Sequence, residues 1–119
     1  MKKTLVIGAS LNPSRYSYLA LQRLSANAIE TVAIGLKEGN VAGIDITTQR
    51  VDFKNIDTVS LYLNPKRQEE YYGYIVDLKP RRVLFNPGTE NPQFYEILKA
   101  AGIAVEEACT LVLLSTGQY

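Results

Sequence analysis

The chain has 119 residues, enough for one hydrophobic core but not two, and with 46% hydrophobic and 21% charged residues it has the composition of a folded globular protein. Lys and Arg number 13 against 12 Asp and Glu, a net charge of +1, so no broad field attracts a nucleic-acid duplex or an anionic membrane, and any anion must be held locally. Histidine is absent, which excludes His-based triads, Cys–His pairs and His-ligated metals, and a lone cysteine excludes an internal disulfide or a thiolate zinc cage.

At the start, Met1-Lys2-Lys3 leads straight into the apolar Leu5-Val6-Ile7, which is far shorter than a signal-peptide core or a membrane span; a cytoplasmic location is expected. Further short runs rich in Val and Ile follow at Thr31 to Ile34, Thr58 to Leu63, Val83 to Phe85 and Ile103 to Val105. Their near-continuous apolar character predicts strands covered on both faces, as in a parallel sheet. The stretch from Gly35 to Gly43 reads as a long connection within the domain.

Between the strands lie helix-sized segments. The first carries Tyr18, Leu21, Leu24 and Ala28 on one stripe, and the last carries Phe94, Ile97, Leu98 and Ala101 before a stop at Gly102. The middle one carries Tyr71, Tyr72, Ile75 and Val76, is weakened by Gly73 inside it, and ends at Pro80. Asn12-Pro13, Asn64-Pro65 and Asn91-Pro92 each offer an Asn cap followed by a proline suited to the first turn. The tail from Ala108 to Ser115 fits either a closing helix or another strand. The alternation predicts a single Rossmann-like α/β domain over residues 1–119, a doubly wound, mostly parallel sheet of about five strands with helices on both faces.

Ligands of such sheets bind outside the carboxyl ends of the strands where strand order reverses, which directs attention to Gly8 to Ser17. Gly8 permits a tight turn, the amides of the following helix carry partial positive charge, Ser10, Ser14 and Ser17 offer hydroxyls, and Arg15 offers a planar fork. These residue types suit a pyrophosphate. The full dinucleotide fingerprint is absent, since Ser10 and Pro13 stand where it has glycines, and after the second strand Lys37 stands where NAD binding wants an acid. A cation there points to a nucleotide with an additional ribose phosphate. No P-loop motif occurs, and Gly8-Ala9-Ser10 and Tyr62-Leu63-Asn64 lack the acids of a response regulator. An NADP- or flavin-dependent oxidoreductase module stays open on these residues.

Gly8-Ala9-Ser10, Asn12-Pro13, Arg15-Tyr16-Ser17, Lys37, Gly43, Asn86-Pro87-Gly88, Ala101-Gly102 and Cys109 together resemble the small stand-alone CoA-binding proteins, which are similar to the CoA-binding domain of succinyl-CoA synthetase and of ADP-forming acyl-CoA synthetases. The resemblance runs nearly end to end. It implies coenzyme A or an acyl-CoA as ligand, with the pyrophosphate on the Gly8 to Ser17 loop and the adenosine 3′-phosphate near Lys37. Site residues implied are Gly8, Ala9, Ser10, Asn12, Ser14, Arg15, Tyr16 and Ser17, then Lys37, then Asn86, Pro87 and Gly88. Two positions depart from the pattern: Gly35-Leu36 replaces Asn-Pro before the lysine, and Asn86-Pro87-Gly88 replaces Gln-x-Gly.

The ligase relatives carry a catalytic histidine elsewhere, so binding without catalysis is expected, with neither nucleic acid nor membrane as partner. A partner-binding domain that has lost the ligand is a third class. Cys109 reads either as a small buried hydrophobe or as a thiol that forms a mixed disulfide with CoA. Glu106 and Glu107 are adjacent and so point to different faces, which argues for a solvated loop and against an acid–base pair. Tyr16 and Tyr18 lie close enough to the loop to stack on an adenine.

Overall fold

The computed structural model describes residues 2–119. Seven strands form one sheet: β1 (Thr4–Ala9), β2 (Thr31–Gly35), β3 (Gly39–Val41), β4 (Ile44–Thr47), β5 (Thr58–Leu61), β6 (Arg82–Phe85) and β7 (Ala104–Glu107). Their spatial order is β3-β4-β2-β1-β5-β6-β7, and every pairing is parallel except the β3–β4 hairpin. The described residues also form five helices: α1 (Tyr16–Ala26), α2 (Pro65–Gln68), α3 (Tyr72–Leu78), α4 (Pro92–Ala100) and α5 (Thr110–Ser115), with a 3-10 turn (Glu69–Tyr71) between α2 and α3.

The central strands are buried on both faces, and successive residues feed opposite layers. Leu5, Ile7, Leu61, Val83 and Phe85 pack against Ile75 of α3 and Phe94 and Leu98 of α4. Val6, Ala33 and Leu84 point the other way, toward Leu21 and Leu24 of α1 and Leu113 and Leu114 of α5. Burying each such Leu, Ile or Phe contributes about 1.5–3 kcal/mol, so the two layers clamp β1 in the middle of the sheet.

The sheet is larger than the five strands predicted, because the stretch after Gly35 folds back as a hairpin. Val41 pairs with Ile44, leaving Ala42 and Gly43 as a two-residue turn with φ of 54° and 86°. Positive φ at both positions is the turn that matches strand twist. The strand signal was the alternation Ile44-Asp45-Ile46-Thr47, with Ile44 and Ile46 buried and Asp45 exposed. The tail is a helix: the Thr110 amide donates to the Asn86 side-chain oxygen at 2.8 Å, and the Thr110 hydroxyl bonds Ser60 at 2.8 Å.

Asn64 and Asn91 cap their helices as expected, accepting from the amides of Arg67 (3.0 Å) and Phe94 (3.3 Å), each with Pro in the first turn. Asn12-Pro13 does not cap α1. Asn12 instead braces a turn one step earlier, its side-chain oxygen accepting from the Ser14 amide (3.0 Å) and hydroxyl (2.8 Å), and α1 begins only at Tyr16. Ala28 likewise falls beyond the helix, in a left-handed conformation with φ of 56°. No helix among the described residues is long and apolar enough to cross a membrane.

Candidate functional site

From β1 the chain steps to β2 on one side and later to β5 on the other, so strand order reverses at β1. The loop after β1 therefore sits over the gap between two diverging connections, where an open α/β sheet has room for a ligand. A cavity of about 510 Å³ opens there. Gly8, Ala9, Ser10, Asn12, Arg15, Tyr16 and Ser17 line it from the loop and the start of α1, Lys37 from beyond β2, and Pro87 from beyond β6.

Three of the predicted residues lie elsewhere. Ser14 is turned into its own Asx turn with Asn12. Asn86 is 1% exposed, and its amide is fully used inside the protein, donating to Ser60 and to the Leu61 carbonyl at 3.0 Å and accepting from Thr110. It braces β5, β6 and α5 together. Gly88 is exposed outside the cavity, with its amide donating to Glu90.

Gly8 owes its identity to packing. Its φ is +92°, and a β-carbon there would stand 3.0 Å from the Tyr62 carbonyl carbon and 3.2 Å from a Leu63 methyl. It also marks the register shift between β1 and β2. Glycine thus lets the loop leave the sheet while lying flat on the end of β5. Gly35 is held more tightly still, since its β-carbon would stand 2.3 Å from the Ala9 carbonyl oxygen.

At the start of α1, Arg15 has extended backbone and no side chain caps the helix. The first amides there are left for solvent or a ligand, with the helix dipole behind them. Ser10 accepts from the Asn12 amide at 3.0 Å, so its hydroxyl proton is available to another acceptor.

Sequence reasoning missed Arg67, which α2 brings into the cavity, and the apolar lining from Leu11, Leu36, Leu63 and Tyr71. The signal for Arg67 was present in the Asn64-Pro65 cap, which fixes where α2 starts. Tyr16 and Leu36, 73% and 75% exposed, form an apolar rim, whereas Tyr18 packs into the α1 layer. The lining residues include three cations, Arg15, Lys37 and Arg67, and no carboxylate. In a protein of net charge +1, these cations are gathered in one cleft rather than spread over a basic surface.

Several titratable groups have structural roles. The Tyr62 hydroxyl is buried without a hydrogen-bond partner among the described residues, and burial pushes its pKa up to about 12, so it stays protonated. Glu106 pairs with the buried Arg82 at 3.2 Å, while Glu107 accepts from the Tyr95 hydroxyl at 2.6 Å. The two acids are thus engaged separately, and neither lines the cleft. Cys109 is half-buried at the start of α5 and does not line the cavity.

A mostly parallel sheet with helices on both faces and a cleft at its switch point defines a Rossmann-like class of fold. The family model described as the CoA binding domain matches residues 2–115, and the chain belongs to that family. A crystal structure of an uncharacterized protein is 48% identical to this chain, covers 100% of it and 98% of its own length, and superposes with a TM-score of 0.96. A protein from Thermus thermophilus is 21% identical, with coverage of 99% of this chain and 90% of that one and a TM-score of 0.87. A hypothetical protein from Pyrococcus horikoshii OT3 is 22% identical, with coverage of 97% and 82% and a TM-score of 0.86. The last two show the shared fold alone. Among curated proteins, none matches the chain.

Proposed function

We propose that the protein binds coenzyme A or an acyl-CoA across the carboxyl ends of β2, β1 and β5, and that it has no catalysis of its own. The pyrophosphate rests on the loop from Gly8 to Ser17, against the uncapped start of α1, the Ser10 and Ser17 hydroxyls and Arg15. The adenosine 3′-phosphate pairs with Lys37, and the adenine lies along the apolar rim of Leu36 and Tyr16. The observation that carries this reading is the charge of the cleft: three cations and no acid among its lining residues, in a chain whose family is the CoA-binding domain.

The lack of catalysis is supported by the same inventory. The cleft offers hydroxyl and guanidinium donors, but no histidine or carboxylate stands beside a nucleophile to act as its base. Mass spectrometry of the ligand released from denatured protein tests the assignment. CoA or an acyl-CoA is the expected product; NADP or a flavin nucleotide in its place would assign the site to an oxidoreductase module. Calorimetry with CoA, NADP and FMN on ligand-free protein gives the same discrimination, with CoA the tightest.

A further inference from the structure

The described residues between β4 and β5 form no helix. That connection is an extended strap, with Phe53 and Ile56 packed into the core on the α3 side. Three contacts bind its first half to the 3-10 turn and to α3. The Arg50 guanidinium lies 4.4 Å from the centre of the Tyr71 ring. It also pairs with Glu70 at 3.3 Å, and the Tyr74 hydroxyl donates to the Val51 carbonyl.

These contacts bear on the cleft, because Tyr71 lines it and Arg50 does not. Arg50 therefore stands behind the ring as seen from the cleft. The ring's other neighbours are fixed as well. Tyr74 meets it edge-on, with ring centres 6.3 Å apart, and Tyr72 is stacked on Phe94 at 4.2 Å. Just before the turn, the buried Gln68 donates to the carbonyls of Leu63 and Thr89, both at 2.8 Å, which anchors α2. Tyr71 is thus a half-buried aromatic wall, held in place before any ligand arrives. The guanidinium behind it already satisfies the ring's attraction for a cation. What remains for a ligand is a rigid surface to stack on.

The covalent order of CoA decides which part of it meets this wall. Its pyrophosphate lies between the adenosine 3′-phosphate and the pantetheine arm. With the 3′-phosphate at Lys37 after β2 and the pyrophosphate on the loop after β1, the arm continues away from Lys37, toward β5. Leu63 and Tyr71 line the cleft on that side. The arm is uncharged and carries planar amides, which suit a stacking surface.

Resting on the CoA reading above, we infer that the pantetheine arm stacks on Tyr71 and that Arg50 is a positioning residue, holding the ring from behind. The strap between β4 and β5 thereby contributes to CoA affinity from outside the cleft.

The test is calorimetry with CoA and with adenosine 3′-phosphate 5′-diphosphate, which is CoA without the arm. The proteins are the parent, Tyr71→Leu, Arg50→Ala and Arg50→Lys, each checked for folding by circular dichroism. In Tyr71→Leu, affinity for CoA should fall about fivefold while affinity for the armless nucleotide holds. Arg50→Ala should show the same selective loss, about threefold, and Arg50→Lys should recover part of it, since an ammonium can also sit over the ring. The inference is overturned if either Tyr71→Leu or Arg50→Ala binds CoA as the parent does, or if Arg50→Lys recovers nothing. An equal loss for both ligands overturns it too, since a residue that only supports the fold would act on both. Arg50 is exposed, so its two variants decide by the same criteria should Tyr71→Leu fail to fold. A parent that binds both ligands equally overturns this inference alone, whereas a parent that binds neither defeats the CoA reading itself.

Discussion

The carbonyl oxygen of Ala9 occupies the space that a side chain on Gly35 would need, 2.3 Å from where its β-carbon would stand. The end of β2 and the turn leaving β1 therefore touch backbone to backbone, and the loop that lines the cleft is set by that contact. A Cγ of Ile46 closes the same space at 3.0 Å. Gly35→Ala should destabilise the protein by about 1–3 kcal/mol, the cost of forcing extra volume into a packed site, and should weaken CoA binding by moving the Ala9–Ser10 turn. Urea denaturation gives the first quantity and calorimetry the second. A variant with the parent's denaturation midpoint would show that this contact yields easily.

Arg15 is exposed, makes no side-chain hydrogen bond or ion pair with the described residues, and lines the cleft, so folding does not depend on it. A charge-assisted contact to pyrophosphate contributes about 1.5–3 kcal/mol, so Arg15→Ala should weaken CoA roughly ten- to a hundredfold. The melting temperature of the ligand-free protein should be unchanged. Loss of apo stability with unaltered affinity would make Arg15 a structural residue.

Lys37 should give CoA an advantage over dephospho-CoA. One solvent-facing charge pair is worth about 1 kcal/mol, or roughly fivefold in affinity. The advantage should shrink as salt is raised and disappear in Lys37→Ala. Equal affinities for the two ligands in the parent protein would remove Lys37 from the 3′-phosphate.

Gly73 sits in α3 with open space where its side chain would be, and its backbone is in no region reserved for glycine. Gly73→Ala should stabilise the protein by up to about 1 kcal/mol, since alanine loses less conformational freedom on entering a helix. The denaturation midpoint should rise while CoA affinity stays constant, which also makes this variant a control for Gly35→Ala.

Asp57 sits at the amino end of the sheet, where its carboxylate accepts from Arg81 at 2.9 and 3.2 Å and from the Thr58 hydroxyl at 2.7 Å. Burial alone would raise its pKa, but the bonds from Arg81 and Thr58 and the positive charges of Arg81 and Arg82 together outweigh it and hold it below the ordinary value. A depressed folded-state pKa contributes stability that is present above the unfolded value, about 3.9, and is lost as pH falls through the lower folded value. The Asp57→Asn variant should be less stable than the parent at neutral pH, and the gap should close below about pH 4. A gap that stays constant with pH would show that the ion pair contributes nothing.

Much of this molecule is written locally. The apolar runs of β1, β2, β5 and β6, the Asn–Pro starts of α2 and α4 and the Gly102 stop after α4 each follow from neighbours in sequence, because strand burial, capping and left-handed turns are short-range requirements. The loop that lines the cleft could be picked out for the same reason: its glycine, hydroxyls and arginine are contiguous from Gly8 to Ser17.

Only the tertiary structure decided the rest, where the controlling contact is distant along the chain. The stretch from Gly35 to Gly43 reads as a connection, but Val41 and Ile44 become strand residues because β2 offers an open edge for Ile46 and Thr47 to pair with. The sequence around Asn86 suggests a ligand loop, yet its amide is consumed by Ser60, Leu61 and Thr110, whose positions depend on β5 and α5. Arg67 lies 30 residues beyond Lys37 and enters the same cleft only because β2 and β5 flank β1 in space. Sequence alone determined which segments could be strands, helices and an anion-suited loop; the closing of the sheet around β1 decided which side chains share the cleft, since a buried strand's neighbours are set by packing rather than by sequence order.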